Sequence, residues 1–245
     1  MIIAEKFRGP PTSGNGGYVS GLFSQLIESS DAAEVTLRAP IPLDHPLTPV
    51  ALGKSVALGK SVVKVVDGDM LIAEIRPVEL SLEIPKLPDW TTTLAAQHLS
   101  YSLVEDLQPG FPGKRGFHPI CFCCGADHDT GLHVFAAPVG DNLVATLWQT
   151  EAGWAEADGL LPNEFLWTAM DCPGQFAFLN AGIRTGLLGR MTARVHVRPP
   201  AGALLLVTAW TIRVEGKKHF AGAAIHTKGG QLCSEAVTLW IGRRE

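Results

Sequence analysis

The sequence lacks the features that take a chain into a membrane, and it carries no large excess of charge. No run approaches the ~18 uninterrupted apolar residues that a membrane-spanning helix needs. The first residues, MIIAEKFRGPP, lack the basic and apolar regions of a signal peptide. The net charge of −4 gives no reason to expect nucleic acid or an anionic membrane as a partner. We therefore expect a cytoplasmic chain with no membrane span and no nucleic-acid partner.

Cysteine is scarce, with five residues. An odd number in a chain without a signal peptide favours the reduced thiols of the cytoplasm over a disulfide framework. We expect the two isolated cysteines to be buried core thiols and the three clustered ones to pack locally. The isolated pair is Cys172 and Cys233, and the cluster is Cys121, Cys123 and Cys124.

The length and composition are typical of a globular chain with a sizeable core. The 245 residues are 46% hydrophobic and 18% charged, which allows one large or two small domains. The apolar spacing predicts a long helix followed by antiparallel strands in each half, an α+β pattern. In the first half we predict a strand near 2–8, a helix over 16–29 and strands within 34–43, 50–66 and 70–78. In the second we predict a strand pair within 131–139 and 142–150, a helix from 162 interrupted by Pro173, and strands within 188–199, 203–216, 219–229 and 231–242.

The two halves resemble each other in sequence. Residues 35–40 (VTLRAP) parallel residues 195–200 (VHVRPP), and residues 71–74 (LIAE) parallel residues 232–235 (LCSE) at almost the same offset. Two matches in the same order predict an internal duplication. We therefore divide the chain into an N-terminal unit, a proline-rich bridge and a C-terminal unit. Their predicted bounds are 1–78, 79–118 and 119–245.

Two motifs carry a resemblance to a known family. The segment CFCCGADHDTGLHVFAAPVGDNLVATLW resembles the Cys-x-x-Cys-Gly…Gly-Leu-x-Leu opening of hotdog thioesterases related to the phenylacetyl-CoA thioesterases. Asn15-Gly16-Gly17 resembles the His-Gly-Gly that opens their central helix, nine residues ahead of a catalytic carboxylate. The resemblance implies a double hotdog, two tandem α+β units that each wrap an antiparallel sheet around a long central helix.

Carried over residue by residue, the resemblance implies one complete site and one degenerate site. The ninth residue after Asn15 is Ser24, whereas Asp171 holds the acid position of the second half, preceded by Pro162-Asn163-Glu164 instead of a glycine pair. Because hotdog sites form between two units, Gly16 and Gly17 of the first half would face Asp171 of the second. Ser24 and Glu164 would mark the degenerate site.

The same resemblance implies hydrolysis of acyl-CoA thioesters. Backbone N–H groups of Gly16 and Gly17 would receive the carbonyl oxygen as it gains charge, and Asp171 would act as base or nucleophile. Asn15 would orient substrate or water. We expect no cofactor, since coenzyme A enters as part of the substrate, and the fold allows a homodimer of double-hotdog chains.

The sequence also allows simpler interpretations of these residues and of the function. Ser13 or Asn15 suffices as an ordinary cap of a core helix. Asp171 suits an exposed position beside a kink at Cys172-Pro173. The alternative function is a non-catalytic protein that binds acyl-CoA or another fatty ligand.

A zinc site is a weaker interpretation of the cysteine cluster. Cys121 and Cys124 have the spacing of a zinc knuckle, and His118 and His128 flank them. A structural zinc site usually adds a second ligand pair, and none follows at a usual distance. We therefore predict no metal.

The run VALGKSVALGKSV contains Gly-Lys-Ser twice. A phosphate-binding loop needs a further glycine before four intervening residues, and counting back from Gly59 that position is Lys54. The pattern fails, so we expect both copies in strands or turns. Their lysines stay candidates for contacting the phosphates of coenzyme A.

Overall fold

The alternating apolar runs build one continuous antiparallel sheet. The structure, a computed structural model, describes residues 1–28, 31–54, 61–104 and 116–242. The strands of the first half are β1 (Ala32–Leu37), β2 (Thr48–Lys54), β3 (Ser61–Asp67) and β4 (Met70–Val78). Those of the second half are β5 (Ala137–Gly140), β6 (Leu143–Gln149), β7 (Leu188–Val195), β8 (Leu204–Glu215), β9 (Lys218–His226) and β10 (Leu232–Ile241). The ten strands lie in the order β2-β3-β4-β1-β7-β10-β9-β8-β6-β5.

The strand order repeats between the halves. From the centre outward, the first half runs β1-β4-β3-β2 and the second runs β7-β10-β9-β8, with β6 and β5 added at its edge. The halves join through the antiparallel pair β1 and β7, where Val35 lies opposite Met191. The predicted hairpins at the turns after Asp67 and Gly140 are confirmed.

The strand registers correct one detail of the predicted repeat. Val35 lies opposite Ile75 in β4. At the offset of the LIAE and LCSE match, Ile75 corresponds to Ala236, which lies opposite Ala193 and not opposite Val195. The sequence match is therefore two residues out of register in this strand. A shift of two keeps every side chain on the same face of the sheet, which is why the similarity survives it.

The predicted elements at the N-terminus were wrong in two respects. Residues Glu5–Phe7 form a single 3₁₀ turn in place of a strand, and the Phe7 ring stacks on Tyr18 at a centroid distance of 3.9 Å. The first helix, α1, spans Gly16–Ser24 and stops short of residue 29. The Ser24 hydroxyl donates to the Gly21 carbonyl oxygen at 2.7 Å and so competes with the continuing backbone ladder.

The helix predicted from residue 162 is interrupted, as expected near Pro173, and forms two short helices, α3 (Asn163–Ala169) and α4 (Cys172–Asn180). Met170 and Asp171 lie between the two helices in a turn. Pro173 lies in the first turn of α4, where its missing N–H costs no hydrogen bond. The proline therefore suits the start of a new helix, and Asp171 lies at the break.

The predicted bridge contains a short helix, α2 (Trp90–Ala96), that packs on β5 and β6. Asp89 caps it by accepting the Thr92 N–H at 2.8 Å. Residues 105–115 of the bridge, and residues 55–60 with the second Gly-Lys pair, lie outside the described residues. Within the described part of the chain, no helix is long and apolar enough to cross a membrane.

Two glycines of α1 allow its backbone to touch α3. A Cβ at Gly17 would lie 2.9 Å from the Trp167 carbonyl oxygen, and one at Gly21 would lie 2.6 Å from the Glu164 Cα. Both distances are shorter than a real contact. Gly17 and Gly21 lie about one helical turn apart, and their lack of side chains allows the two helices to approach this closely.

Gly21→Ala should lower the free energy of unfolding by about 1–3 kcal/mol, because the new methyl group overpacks a backbone contact. Chemical denaturation measures the change. Gly153→Ala is the matched control, since a Cβ there meets nothing within 4 Å. Equal stability of Gly21→Ala and the wild type would contradict the close crossing.

Candidate active site

Asn15 connects the start of α1 to the carboxylate of Asp171. Its Oδ1 accepts the Tyr18 N–H at 2.8 Å and caps the helix. Its Nδ2 donates to Asp171 Oδ2 at 3.0 Å. Asn15 is thus both the ordinary cap and a neighbour of the predicted acid, whereas Ser13 accepts the Ile41 N–H instead.

Gly17 and Asp171, which come from opposite halves of the chain, are in direct contact. The Gly17 N–H donates to Asp171 Oδ2 at 2.9 Å. A Cβ at Gly17 would lie 2.6 Å from the Asp171 Cβ, so the contact requires glycine. The partial positive charge of a helix start favours a carboxylate at this point.

Asp171 is a buried carboxyl group and not the exposed helix aspartate that the sequence left open. Its exposed fraction is 3%. Oδ2 accepts two hydrogen bonds, while Oδ1 has no partner among the described residues. Burial raises the pKa of Asp171 to about 7, the Cys121 thiol adds to the rise, and hydrogen bonds from Gly17 and Asn15 oppose it. A pKa near neutrality suits a group that exchanges protons.

A cavity of about 240 Å³ opens beside this pair. Asn15, Gly16 and Asp171 contribute its polar corner. Most of the remaining wall is apolar, as is usual for ligand sites. The apolar wall includes Leu37, Ile41, Leu187, Leu188, Trp240 and Ile241.

Three polar residues of the cavity, His118, Gln175 and Arg38, were not singled out for this role from the sequence. His118 Nε2 and Gln175 Oε1 lie 3.0 Å apart, and Gln175 Nε2 donates to the Gly186 carbonyl oxygen at 2.9 Å. Gln175 follows Asp171 by four residues. This spacing, which puts two residues on the same face of a helix, is the signal in the sequence that could have identified it. His118 reaches the cavity from a distant loop, which no local pattern reveals.

Cys121 and Cys172 both line the cavity and contact each other. Their Sγ atoms are 3.6 Å apart, and Asn15 Nδ2 lies 3.5 Å from Cys121 Sγ. Hydrogen bonds from the thiols of Cys124 and Cys172 hold the pKa of the Cys121 thiol well below its usual value. Cys172 therefore belongs to the cysteine cluster, although its position in the sequence separates it.

Ser24 and Glu164, at the positions of the predicted degenerate site, bond to other groups. Ser24 Oγ lies 3.4 Å from Asn163 Nδ2, and Glu164 Oε2 accepts from Gln25 Nε2 at 3.0 Å near the surface. Thus Ser24 adjoins the start of α3 much as Asp171 adjoins the start of α1. It supplies a hydroxyl in place of a carboxylate.

No family model and no curated protein matches the chain. Solved structures do match it. A proposed thioesterase from Novosphingobium aromaticivorans is 11% identical, with a TM-score of 0.60 over 100% of this chain and 94% of that one. A proposed thioesterase II from Thermobifida fusca is 14% identical, with a TM-score of 0.57 over 95% and 89%. The tesB protein of Mycobacterium avium subsp. paratuberculosis is 12% identical, with a TM-score of 0.56 over 94% and 88%.

The chain has a hotdog fold like that of these structures. At these identities the likeness concerns the fold and not the reaction. In this hotdog protein the large antiparallel sheet and the few helices are confirmed, while the long central helices of the prediction are not.

Asp171→Asn should stabilise the hotdog fold at pH 8 by about 1–3 kcal/mol, because it removes a buried charge with one unpartnered oxygen. The raised pKa means that the wild type loses stability as the pH rises through about 7. At pH 5 the wild-type carboxyl group is protonated, so the stability that Asp171→Asn adds should be smaller than at pH 8. Chemical denaturation at both pH values measures it.

The control for this prediction is Asp129→Asn at an exposed aspartate, which should change stability little at either pH. A variant Asp171→Asn that is less stable than the wild type at pH 8 would show that the buried carboxylate contributes net stability.

Proposed function

We propose that this chain is a double-hotdog enzyme that hydrolyses acyl-CoA thioesters at one composite site. The observation that supports it best is the contact between the Gly17 N–H and the Asp171 carboxylate, which joins the two halves beside an apolar cavity. A helix start, a carboxyl group with a pKa near neutrality and a cavity are the parts that thioester hydrolysis needs.

Gly16 is the proposed donor to the thioester oxygen. At the start of α1, the N–H of Gly17 donates to Asp171 and that of Tyr18 donates to Asn15. The N–H of Gly16, the first of the helix, belongs to a residue that lines the cavity. A backbone donor aimed at the carbonyl oxygen contributes roughly 3 kcal/mol to stabilising the tetrahedral intermediate. Gly17 then positions the acid.

Asp171 is the proposed base. Its Oδ2 is held by two donors. Oδ1 is buried and has no partner among the described residues, so it is the oxygen proposed to accept a proton from a water molecule that enters with the substrate. The water oxygen bonds to the carbonyl carbon, the tetrahedral intermediate collapses, and the carbon–sulfur bond breaks. The thiolate leaves with the electron pair and takes up the proton from Asp171. In the alternative route, Oδ1 attacks the carbonyl carbon itself and water hydrolyses the resulting mixed anhydride.

We propose that the acyl group binds against the apolar wall of the cavity. Leu188 and Trp240 stand on neighbouring strands of the sheet and face the cavity with Leu37. Aliphatic and aromatic acyl groups both suit such a wall, and burying either contributes about 25 cal/mol per Å² of apolar surface. Binding energy from this wall holds the thioester at the helix start.

The opposite site is proposed to have decayed. Ser24 takes the place of the acid, and α3 starts with Asn163-Glu164 where α1 starts with Gly16-Gly17. The proposed arrangement therefore has one working site per chain, built from units 1–78 and 119–245 with the bridge 79–118 between them. A homodimer of such chains and a cytoplasmic location belong to the same proposal.

Release of free thiol from short, long and aromatic acyl-CoA substrates tests the proposal. The wild type should turn over at least one class, and Asp171→Asn should lower kcat by about 10²–10⁴-fold with little change in KM. The reason is that Asp171 acts on the water and not on the bound coenzyme A.

Glu164→Gln is the matched control, because it neutralises a carboxylate at the corresponding helix start of the other half. It should keep its turnover. Binding of acyl-CoA without turnover, unchanged in Asp171→Asn, would favour the non-catalytic binding protein instead. Equal losses in both variants would contradict a single working site.

A further inference from the structure

Three cysteine thiols converge at one point beside the cavity. The Sγ atoms of Cys121, Cys124 and Cys172 all lie within 4.8 Å of one another. All three residues are buried, with exposed fractions of 3% or less, and none forms a disulfide. They come from two distant parts of the chain, a loop before β5 and the first residue of α4. The fold thus brings the thiol of Cys172 to those of Cys121 and Cys124, which are far from it in the sequence.

The distances fit a thiolate-bound metal ion. Zinc binds thiolate sulfur at about 2.3 Å, and a tetrahedral arrangement separates two such sulfurs by about 3.8 Å. The separation of 3.6 Å between the sulfurs of Cys121 and Cys172 is close to this value. The other two separations are no more than 4.8 Å, so they would shorten by up to about 1 Å when an ion binds.

The local backbone has the form of a metal-binding knuckle. The Gly125 N–H donates to the Cys121 carbonyl oxygen at 2.8 Å, which closes the turn around the Cys-x-x-Cys spacing. A Cβ at Gly125 would lie 2.6 Å from the Cys121 nitrogen, so the tight turn requires glycine there. This turn aims the Cys121 and Cys124 thiols at the same point.

The other two cysteines, Cys123 and Cys233, are not part of the cluster. Cys123 Sγ donates to the Thr168 carbonyl oxygen at 3.0 Å and also contacts the Cys172 thiol, but it does not belong to the group of three sulfurs that lie within 4.8 Å of one another. Cys233 lies in β10, away from the cluster, and its thiol is 3.8 Å from the Gln231 carbonyl oxygen. Both are buried, so burial alone does not distinguish them from the cluster.

A fourth ligand would come from solvent. No further histidine, cysteine or carboxylate of the described ranges joins the three thiols within 4.8 Å. Cys121 and Cys172 line the cavity, which gives water access to the open position. The side-chain amide of Asn15, 3.5 Å from Cys121 Sγ, would serve as a second-layer hydrogen bond to a thiolate ligand.

We propose that Cys121, Cys124 and Cys172 bind one Zn²⁺ ion, with a water molecule as the fourth ligand. This replaces the expectation of no metal, which considered only partners near Cys121 in the sequence. The ion would tie the loop before β5 to the first residue of α4, directly after Asp171. It would therefore fix the helix break that presents the carboxylate, and it stands whether or not the chain hydrolyses thioesters.

The test is the metal content of the full-length protein, purified without chelator and measured by inductively coupled plasma mass spectrometry. The wild type and the control Cys233→Ser should each hold close to one zinc ion per chain. Cys124→Ser and Cys172→Ser should lose most of it, because each removes one of only three protein ligands. Cys123→Ser should keep it, since that thiol bonds to a carbonyl oxygen.

A second measurement on the wild type alone covers variants that fail to fold. X-ray absorption at the zinc edge should show three sulfur atoms at about 2.3 Å and one lighter atom at about 2.0 Å. Absence of zinc from the wild type, with five titratable thiols or with a Cys121–Cys172 disulfide, would overturn the proposal. So would zinc with fewer than three sulfur ligands, or zinc retained in full by folded Cys124→Ser and Cys172→Ser.

Discussion

The close approach of α1 to α3 is the constraint on which the site depends. The two helices touch backbone to backbone because Gly17 and Gly21 carry no side chains at the crossing. That approach brings the Gly17 N–H to 2.9 Å from the Asp171 carboxylate. A longer separation would leave the carboxylate buried without donors, which is far more costly than burying it with two. Helix packing and site geometry are thus set by the same residues.

The strands could be predicted from the sequence because their signals are local. Alternation of apolar residues and a turn at Asp67-Gly68-Asp69 define β3 and β4 without knowledge of the rest of the chain. The strand order that recurs in the two halves agrees with the repeat that the sequence predicts. The pattern could not show which residues of the second half correspond to those of the first, because a shift of two residues leaves every side chain on the same face of the sheet.

The helices and part of the site depend on contacts that the sequence does not show. The Ser24 hydroxyl bonds back to Gly21 and ends α1 early. The interruption near Pro173 was predicted, but its position at Met170 and Asp171 was not. Asp171 and Gly17 were identified from a family motif. Cys172 and His118 join the cavity only through tertiary folding, so their places were not predicted.

A buried acid held by a helix start, next to an apolar cavity, is the central feature of this hotdog chain. Its most direct test is a crystal structure of Asp171→Asn with a non-hydrolysable acyl-CoA analogue, in which a methylene group replaces the thioester sulfur. The ketone oxygen should lie about 3 Å from the Gly16 nitrogen, with its carbon beside residue 171. An analogue bound instead at Ser24 and Glu164, with the Gly16 side empty, would contradict the composite site.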